Sequence, residues 1–262
     1  MSDQAFRAIG ATTFLSPLPA VLVSCRGTEP GFDRDNMITI GWTGVINSDP
    51  PMVYVSIRKE RHSHAQVSQS GVFCINLTDE TLCRATDYCG VKSGRDVDKF
   101  AELGLHAFEV EGFGAPALAE APLFLCCRVE RVIELGSHDM FMAKVEQVYV
   151  RDSLFREDGS LKMADFELVC YAHGEYFALK DRPMGFFGYS LANEDVIRRR
   201  LVEPYEKKKD KKEKKEKKAK SDKPGKKEQH KDKKEKKAKP GKKKHAFRMR
   251  MQDAPVKPRT NA

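Results

Sequence analysis

The densest polar run in the chain, Arg58-Lys-Glu-Arg-His-Ser-His64, puts guanidinium, ammonium, hydroxyl and imidazole groups within seven residues. Arg58 and Ser63, with backbone N–H groups at the mouth of a helix, suit a phosphate, because cations and helix N-termini both attract anions. A second basic turn, Gly90-Val-Lys-Ser-Gly-Arg-Asp-Val-Asp-Lys-Phe100, groups Lys92, Ser93, Gly94 and Arg95. Either loop alone equally describes a solvated, charged surface. The third feature, Asn36-Met-Ile-Thr-Ile-Gly-Trp-Thr-Gly44, holds the single tryptophan, flanked by Gly and Thr. Glycines allow close backbone approach to a flat ligand, and Thr hydroxyls and amides can bond its heteroatoms. The competing reading of that stretch is a core strand with a packed indole.

The elements around these clusters are mostly strands. Runs at 20–24 and 37–41 are short and β-rich, separated by a Gly-, Pro- and Asp-rich loop. Asn47–Pro51 reads as a loop by composition. Met52–Arg58 alternates: Val53, Val55 and Ile57 point one way, Tyr54, Ser56 and Arg58 the other. The pattern predicts one buried and one polar, usable face. Ser63 is placed to cap a helix over 63–70 that ends at Gly71, and Thr78 to cap another that runs to Gly90. Residues 72–77, 125–133, 138–150 and 167–179 supply further strands, the middle two as a hairpin. Six or seven antiparallel strands with short helices predict a mainly β chain, a β-barrel with helical decorations. Neither GxGxxG after a first strand nor GxxxxGK[ST] occurs, which argues against a Rossmann site or P-loop.

Charge divides the chain in two. Residues 1–206 hold 21 Lys and Arg against 30 Asp and Glu, whereas 207–262 hold 26 against 8. The overall +9 therefore describes a tail and not a domain. Positive loops at 58–64 and 90–100 run against the field of an acidic domain, which strengthens their reading as an anion site. In the tail KKEKKAK occurs at 214–220 and again at 233–239, and no Val, Ile, Leu, Met, Phe, Tyr or Trp occurs between Lys207 and Lys244. Such a composition cannot bury enough apolar area to offset its ordering entropy, so disorder is expected for 207–262 and one domain for 1–206. No run approaches the ~20 apolar residues of a membrane-spanning helix. The N-terminus lacks a basic-then-apolar secretory pattern. Seven cysteines without CxxC, mostly in apolar stretches, read as buried small hydrophobes in a reducing cytoplasm, with no metal site required.

Several stretches together resemble a known family. Asn36–Gly44, Ser48-Asp-Pro-Pro-Met-Val-Tyr-Val-Ser-Ile-Arg58, Arg61-His-Ser63, Gly71-Val-Phe-Cys-Ile-Asn-Leu77 and the run from Asp87 to Phe100 are similar to the flavin reductase-like family, specifically its flavoredoxin branch. Gly136-Ser-His-Asp-Met-Phe141 and His173-Gly-Glu-Tyr-Phe-Ala-Leu179 continue the match over about residues 10–190, and the lysine tail lies beyond it. The resemblance implies an FMN-binding split β-barrel, normally a homodimer, with noncovalent flavin near the subunit interface. Carried over by position, Asn36, Thr39, Trp42, Thr43 and Gly44 lie along the isoalloxazine and ribityl chain. Arg58, His62, Ser63, Lys92 and Lys99 are candidates for the phosphate end, and Tyr176 for closing the pocket. His138 sits where the family has a His near the reacting face of the ring; it either orients a hydride donor or donates a proton, or it is a structural His at a strand start. The Asp-Pro-Pro turn at 49–51 is expected to shape the barrel and not to touch ligand.

Two activities share this motif evidence. The first is an NAD(P)H:flavin oxidoreductase that reduces FMN. The second is a flavoredoxin-type electron carrier, whose tightly held FMN works between protein redox partners. The tail suits nonspecific attraction to polyanions such as nucleic acid or anionic lipid. It equally suits a solubilising extension that folds back on the acidic domain.

Overall fold

The computed structural model describes residues 6–179 and 182–205. The lysine-rich segment, and with it the expectation of disorder, lies outside the described residues. The strands are β1 (Leu18–Pro19), β2 (Val21–Cys25), β3 (Asn36–Ile40), β4 (Thr43–Ser48), β5 (Pro51–Arg58), β6 (Val72–Leu77), β7 (Ala107–Phe108), β8 (Ala117–Leu118), β9 (Leu123–Glu134), β10 (His138–Val150), β11 (Val169–Ala172) and β12 (Glu175–Ala178). The helices are α1 (His62–Ser70), α2 (Cys83–Val91), α3 (Lys99–Leu103) and α4 (Glu194–Leu201).

Seven strands pair antiparallel in the order β3-β2-β6-β9-β10-β5-β4. Laid flat, the outer two would stand roughly 29 Å apart at ~4.8 Å per strand. Yet β3 ends at Ile40 and β4 starts at Thr43, and three residues reach at most about 11 Å. The sheet must therefore coil on itself. Ser56 N–H donates to the Trp42 carbonyl at 2.9 Å, which fastens β5 beside the link between the two edges. No ladder joins β3 to β4 among the described residues, so the expected barrel is a coiled antiparallel sheet without a closed ring.

The coil has one interior. Val21 and Val23 of β2, Ile38 and Ile40 of β3, Val53, Val55 and Ile57 of β5, Phe73 and Ile75 of β6, and Phe141 and Ala143 of β10 meet there, with Val67 of α1. Strand β5 alternates as expected, with Tyr54 and Ser56 half-buried and Arg58 exposed on its other face. Strands β2 and β6 are covered on both faces and, apart from the buried Ser24 and Asn76, are apolar on both. Leu22 packs outside with Met37, Leu82, Cys89 and Phe100, while Cys74 packs outside with Phe113 and Phe124.

Four local expectations are corrected. Asn47, Ser48 and Pro51 belong to strands, with only Asp49 and Pro50 turning; β4 is an edge, where polar residues are tolerated, and Pro51 is the first residue of β5, a position where Pro is accepted. Ser63 does not cap α1: its N-cap is Arg61, without a side-chain bond, and the Ser63 hydroxyl accepts from Asn36 Nδ2 at 2.8 Å. Thr78 does not cap the next helix, because its hydroxyl donates to the Ala20 carbonyl at 2.5 Å. Asp79 takes that role, accepting from Thr81 N at 3.0 Å and Leu82 N at 3.1 Å and so starting the 3-10 turn Glu80–Leu82 that leads into α2. Asp79→Ala is expected to lower stability by about 1 kcal/mol, read as a shifted urea midpoint with an unchanged slope. The stretch 167–179 is a hairpin and not one strand: His173 (φ 48°) and Gly174 (φ 99°) turn β11 into β12.

Candidate functional site

The link Gly41-Trp42 leaves the coil at the point where the sheet's edges meet, and Trp42 is 41% exposed there. Two hollows open on that indole. One, of ≈ 190 Å³, is lined by Thr39, Gly41, Trp42, Ser56, Arg58, Arg61, Gly90 and His138, with Ile38 and Ile40. The other, of ≈ 250 Å³, is lined by Leu18, Ala20, Thr39, Gly41, Trp42, Asp87, Gly90, Val91, Tyr171 and Tyr176. Thr39, Gly41, Trp42 and Gly90 are common to both, so the hollows adjoin across the indole.

Register brings the arginine-lined side together. His138 opens β10 directly opposite Arg58, which closes β5, and the Trp42 and His138 rings lie 4.5 Å apart, tilted by 35°. Ser137 Oγ bonds His138 Nδ1 at 2.9 Å, leaving Nε2 for a ligand. Burial first, then the Arg58 charge beside it, lowers the pKa of His138, which favours a neutral ring. Arg58 pairs with Glu60 at 3.0 Å and keeps its side chain 53% exposed. On the far side, α2 lies along β3: Thr39 donates its hydroxyl to the Thr86 carbonyl, and Gly90 lets the helix approach Thr39, whose Cβ would stand 3.4 Å from an added methyl.

Of the residues singled out from sequence, Thr39, Trp42, Arg58, His138 and Tyr176 line the hollows. Asn36, His62, Ser63 and Lys99 form a buried layer that lines neither. There the Lys99 ammonium donates to the carbonyls of Met37 at 2.5 Å and Cys89 at 2.9 Å. Burial holds its pKa below the usual lysine value. His62 stacks on Phe32, ring centroids 4.8 Å apart. Burial above all, then the charges of Arg95, Arg34 and Lys99, lower its pKa, which favours a neutral ring. Thr43 bonds the Tyr54 carbonyl at 2.5 Å, Gly44 lies against the Tyr54 ring, and Lys92 is exposed at the end of α2; none of the three lines a hollow. Sequence reasoning passed over Ser56, Arg61, Asp87 and Tyr171. Ser56 was detectable as the middle member of the polar face of β5. Tyr171 had no local signal, because it reaches the site through the pairing of β11 with β1.

The model of the flavin reductase like domain matches residues 15–180. The flavoredoxin of Desulfovibrio vulgaris (Miyazaki F) superposes with a TM-score of 0.65 at 29% identity, covering 71% of this chain and 100% of that one. An uncharacterized protein of Aeropyrum pernix is 35% identical over 112 residues, which are 42% of this chain but only 43% of that protein. An NADH:riboflavin 5'-phosphate oxidoreductase of Streptomyces pristinaespiralis is 25% identical over 158 residues, 57% of this chain and 84% of that one.

Proposed function

Because the chain belongs to the flavin reductase like domain family, we propose that it is an FMN-dependent oxidoreductase that passes hydride from NADH or NADPH to flavin, and that its coiled sheet is the family's split barrel. FMN is its cofactor. The observation that carries the reading is the pair of hollows adjoining across one exposed indole, one of them bearing two guanidinium groups.

The residues present fit such a group, which is planar at one end and dianionic at the other. Arg58, Arg61 and the Ser56 hydroxyl suit the phosphate, since charge-assisted bonds to guanidinium are short and strong. Trp42 offers a flat apolar face beside Thr39 and Gly41. Bound flavin supplies the two-electron and one-electron chemistry, so the protein need not furnish a nucleophile. Neutral His138 can accept or hold a proton at Nε2 beside the ring. Ser137 fixes the other nitrogen.

A second reading, an electron carrier of the flavoredoxin type working between protein partners, is favoured by the full-length likeness to the D. vulgaris protein. A homodimer also belongs to this proposal. Edge strand β4 exposes Val45 (79%) and Ile46 (40%), apolar surface that a second copy would cover. Attraction of polyanions to the basic segment 207–262 and residence in the cytoplasm complete it.

The test is optical. FMN added to the full chain is expected to quench the fluorescence of the single tryptophan, and NADH or NADPH added anaerobically to bleach the flavin band. Absence of quenching removes the proposal. Quenching without bleaching by either dinucleotide, but with bleaching by a reduced ferredoxin-like protein, selects the second reading.

A further inference from the structure

Away from the indole, the outer face of the coiled sheet carries two thiols. Cys74 of β6 and Cys126 of β9 are direct partners in one antiparallel ladder. Both are buried, and neither lines a hollow at Trp42. Directly opposed residues in such a ladder have Cα atoms ~4.5–5.5 Å apart, inside the ~4.4–6.8 Å that a disulfide spans. The two side chains share one face and pack outside the coil with Phe113, Ala115, Ala117 and Phe124. Cys25 and Cys127 lie in the interior instead. On its other side Cys74 faces Ser24, and Cys126 faces Gln147, so neither has a second thiol as a ladder partner.

The segment 109–116, between β7 and β8, covers the pair. Gly112 (φ 70°) and Gly114 (φ 88°) flank Phe113, both in the left-handed region that glycine adopts freely. Ser24 Oγ donates to the Pro116 carbonyl at 2.5 Å, and Asn76 Oδ1 accepts from Leu118 N at 2.8 Å, which fastens the far end of the cover to the sheet. The Cys74 thiol stands 3.9 Å from the Ala115 carbonyl. It is also placed to donate to the Cys126 sulfur. That bond lowers the pKa of Cys126, and the same bond first, then burial, raises that of Cys74. A thiolate formed at the pair therefore rests on Cys126, and the thiolate is the nucleophile.

We infer that Cys74 and Cys126 are a redox pair, oxidised by hydrogen peroxide to a reversible disulfide across β6 and β9 when the 109–116 cover opens, with Cys126 as the attacking sulfur. The Cys126 sulfur attacks one peroxide oxygen. The O–O bond breaks, the departing hydroxide takes the thiol proton as water, and Cys126 is left as a sulfenic acid. The Cys74 sulfur then attacks the Cys126 sulfur; the S–S bond forms, the S–O bond breaks, and the Cys74 proton leaves in a second water. The two thiols give up two electrons and the peroxide gains them. Local opening of the cover sets the rate, because buried groups react only through such openings.

The full chain treated with hydrogen peroxide is expected to lose two hydrogens in intact mass. Its digest should hold the Cys74 and Cys126 peptides joined, and dithiothreitol should separate them. Phe113→Ala, which thins the cover, speeds the oxidation by about tenfold. Cys74→Ser leaves Cys126 as a sulfenic acid that dimedone traps, whereas Cys126→Ser leaves Cys74 unmodified. Should either serine variant fail to fold, the digest of the wild-type chain decides alone. The inference is overturned if peroxide joins no Cys74 to Cys126, if it oxidises the half-buried Cys83 or Cys170 instead, if Phe113→Ala leaves the rate as it was, or if the trapped sulfenic acid sits on Cys74.

Discussion

Replacing Arg58 and Arg61 together by glutamine is expected to weaken FMN binding by about two orders of magnitude while riboflavin, which lacks the phosphate, binds as before. A charge-assisted hydrogen bond in a shielded site contributes about 1.5–3 kcal/mol. Arg58 is more than half exposed and Arg61 half-buried, so solvent screening brings each nearer the ~1.4 kcal/mol that equals a factor of ten. Folding should be almost untouched. The ion pair Arg58 gives up, to Glu60 at 3.0 Å, is a surface pair, and Arg61 caps α1 through no side-chain bond. Fluorescence titrations at two salt concentrations read the effect, with the wild type losing affinity as salt rises and the double variant much less so. An FMN affinity within about threefold of wild type, or an equal loss for riboflavin, would show that the phosphate lies elsewhere.

The difference between Arg58 and Lys99 explains how much of this site the sequence made legible. Arg58 ends a strand whose alternation is written plainly in Val53, Val55 and Ile57, so its place on the polar face follows from period two alone. Lys99 carries the same charge in a similarly basic loop, but whether a lysine reaches ligand or carbonyl depends on what α3 packs against. It lies buried, holding Met37 and Cys89 carbonyls. Pattern finds faces, and long-range packing decides partners. Strand β4 was hidden for a related reason. Its Asn47, Ser48 and the following Asp49-Pro50-Pro51 have loop composition, and only pairing with β5 makes part of it a strand. The larger of the two hollows needs Leu18 and Tyr171, which share one ladder although they are far apart in sequence. The resemblance reached the family because several short motifs in order carry more information than any one of them, while Ser63 and His62, its candidates for the phosphate end, lie buried and line neither hollow.

Gln66→Leu should lower stability by roughly 4 kcal/mol, more than most single substitutions. Gln66 is fully buried on α1. Its Nε2 donates to the carbonyls of Phe32 at 2.7 Å and Arg34 at 2.8 Å. Its Oε1 accepts from Asn36 Nδ2 at 2.8 Å and from the Cys25 thiol at 3.5 Å. One side chain thus joins α1 to β2, to β3 and to the loop between them. Leucine nearly matches its volume but leaves two carbonyls short of their donor and weakens the satisfaction of Asn36, each buried shortfall costing ~1–3 kcal/mol. Asn36 still has Ser63 Oγ at 2.8 Å, so Asn36→Leu alone should cost less, and the pair of changes less than their sum, because each removes the other's partner. Urea midpoints for the two single variants and the double variant form the cycle; additive losses, or a Gln66→Leu change under about 1 kcal/mol, would show that the network does not act as a unit. The same cycle tests function, since α1 begins beside Arg61 and β3 leads into Trp42. A Gln66→Leu protein that remains folded at low temperature should therefore bind FMN more weakly than its distance from the indole would suggest, as the two walls of the arginine-lined hollow lose the strut between them.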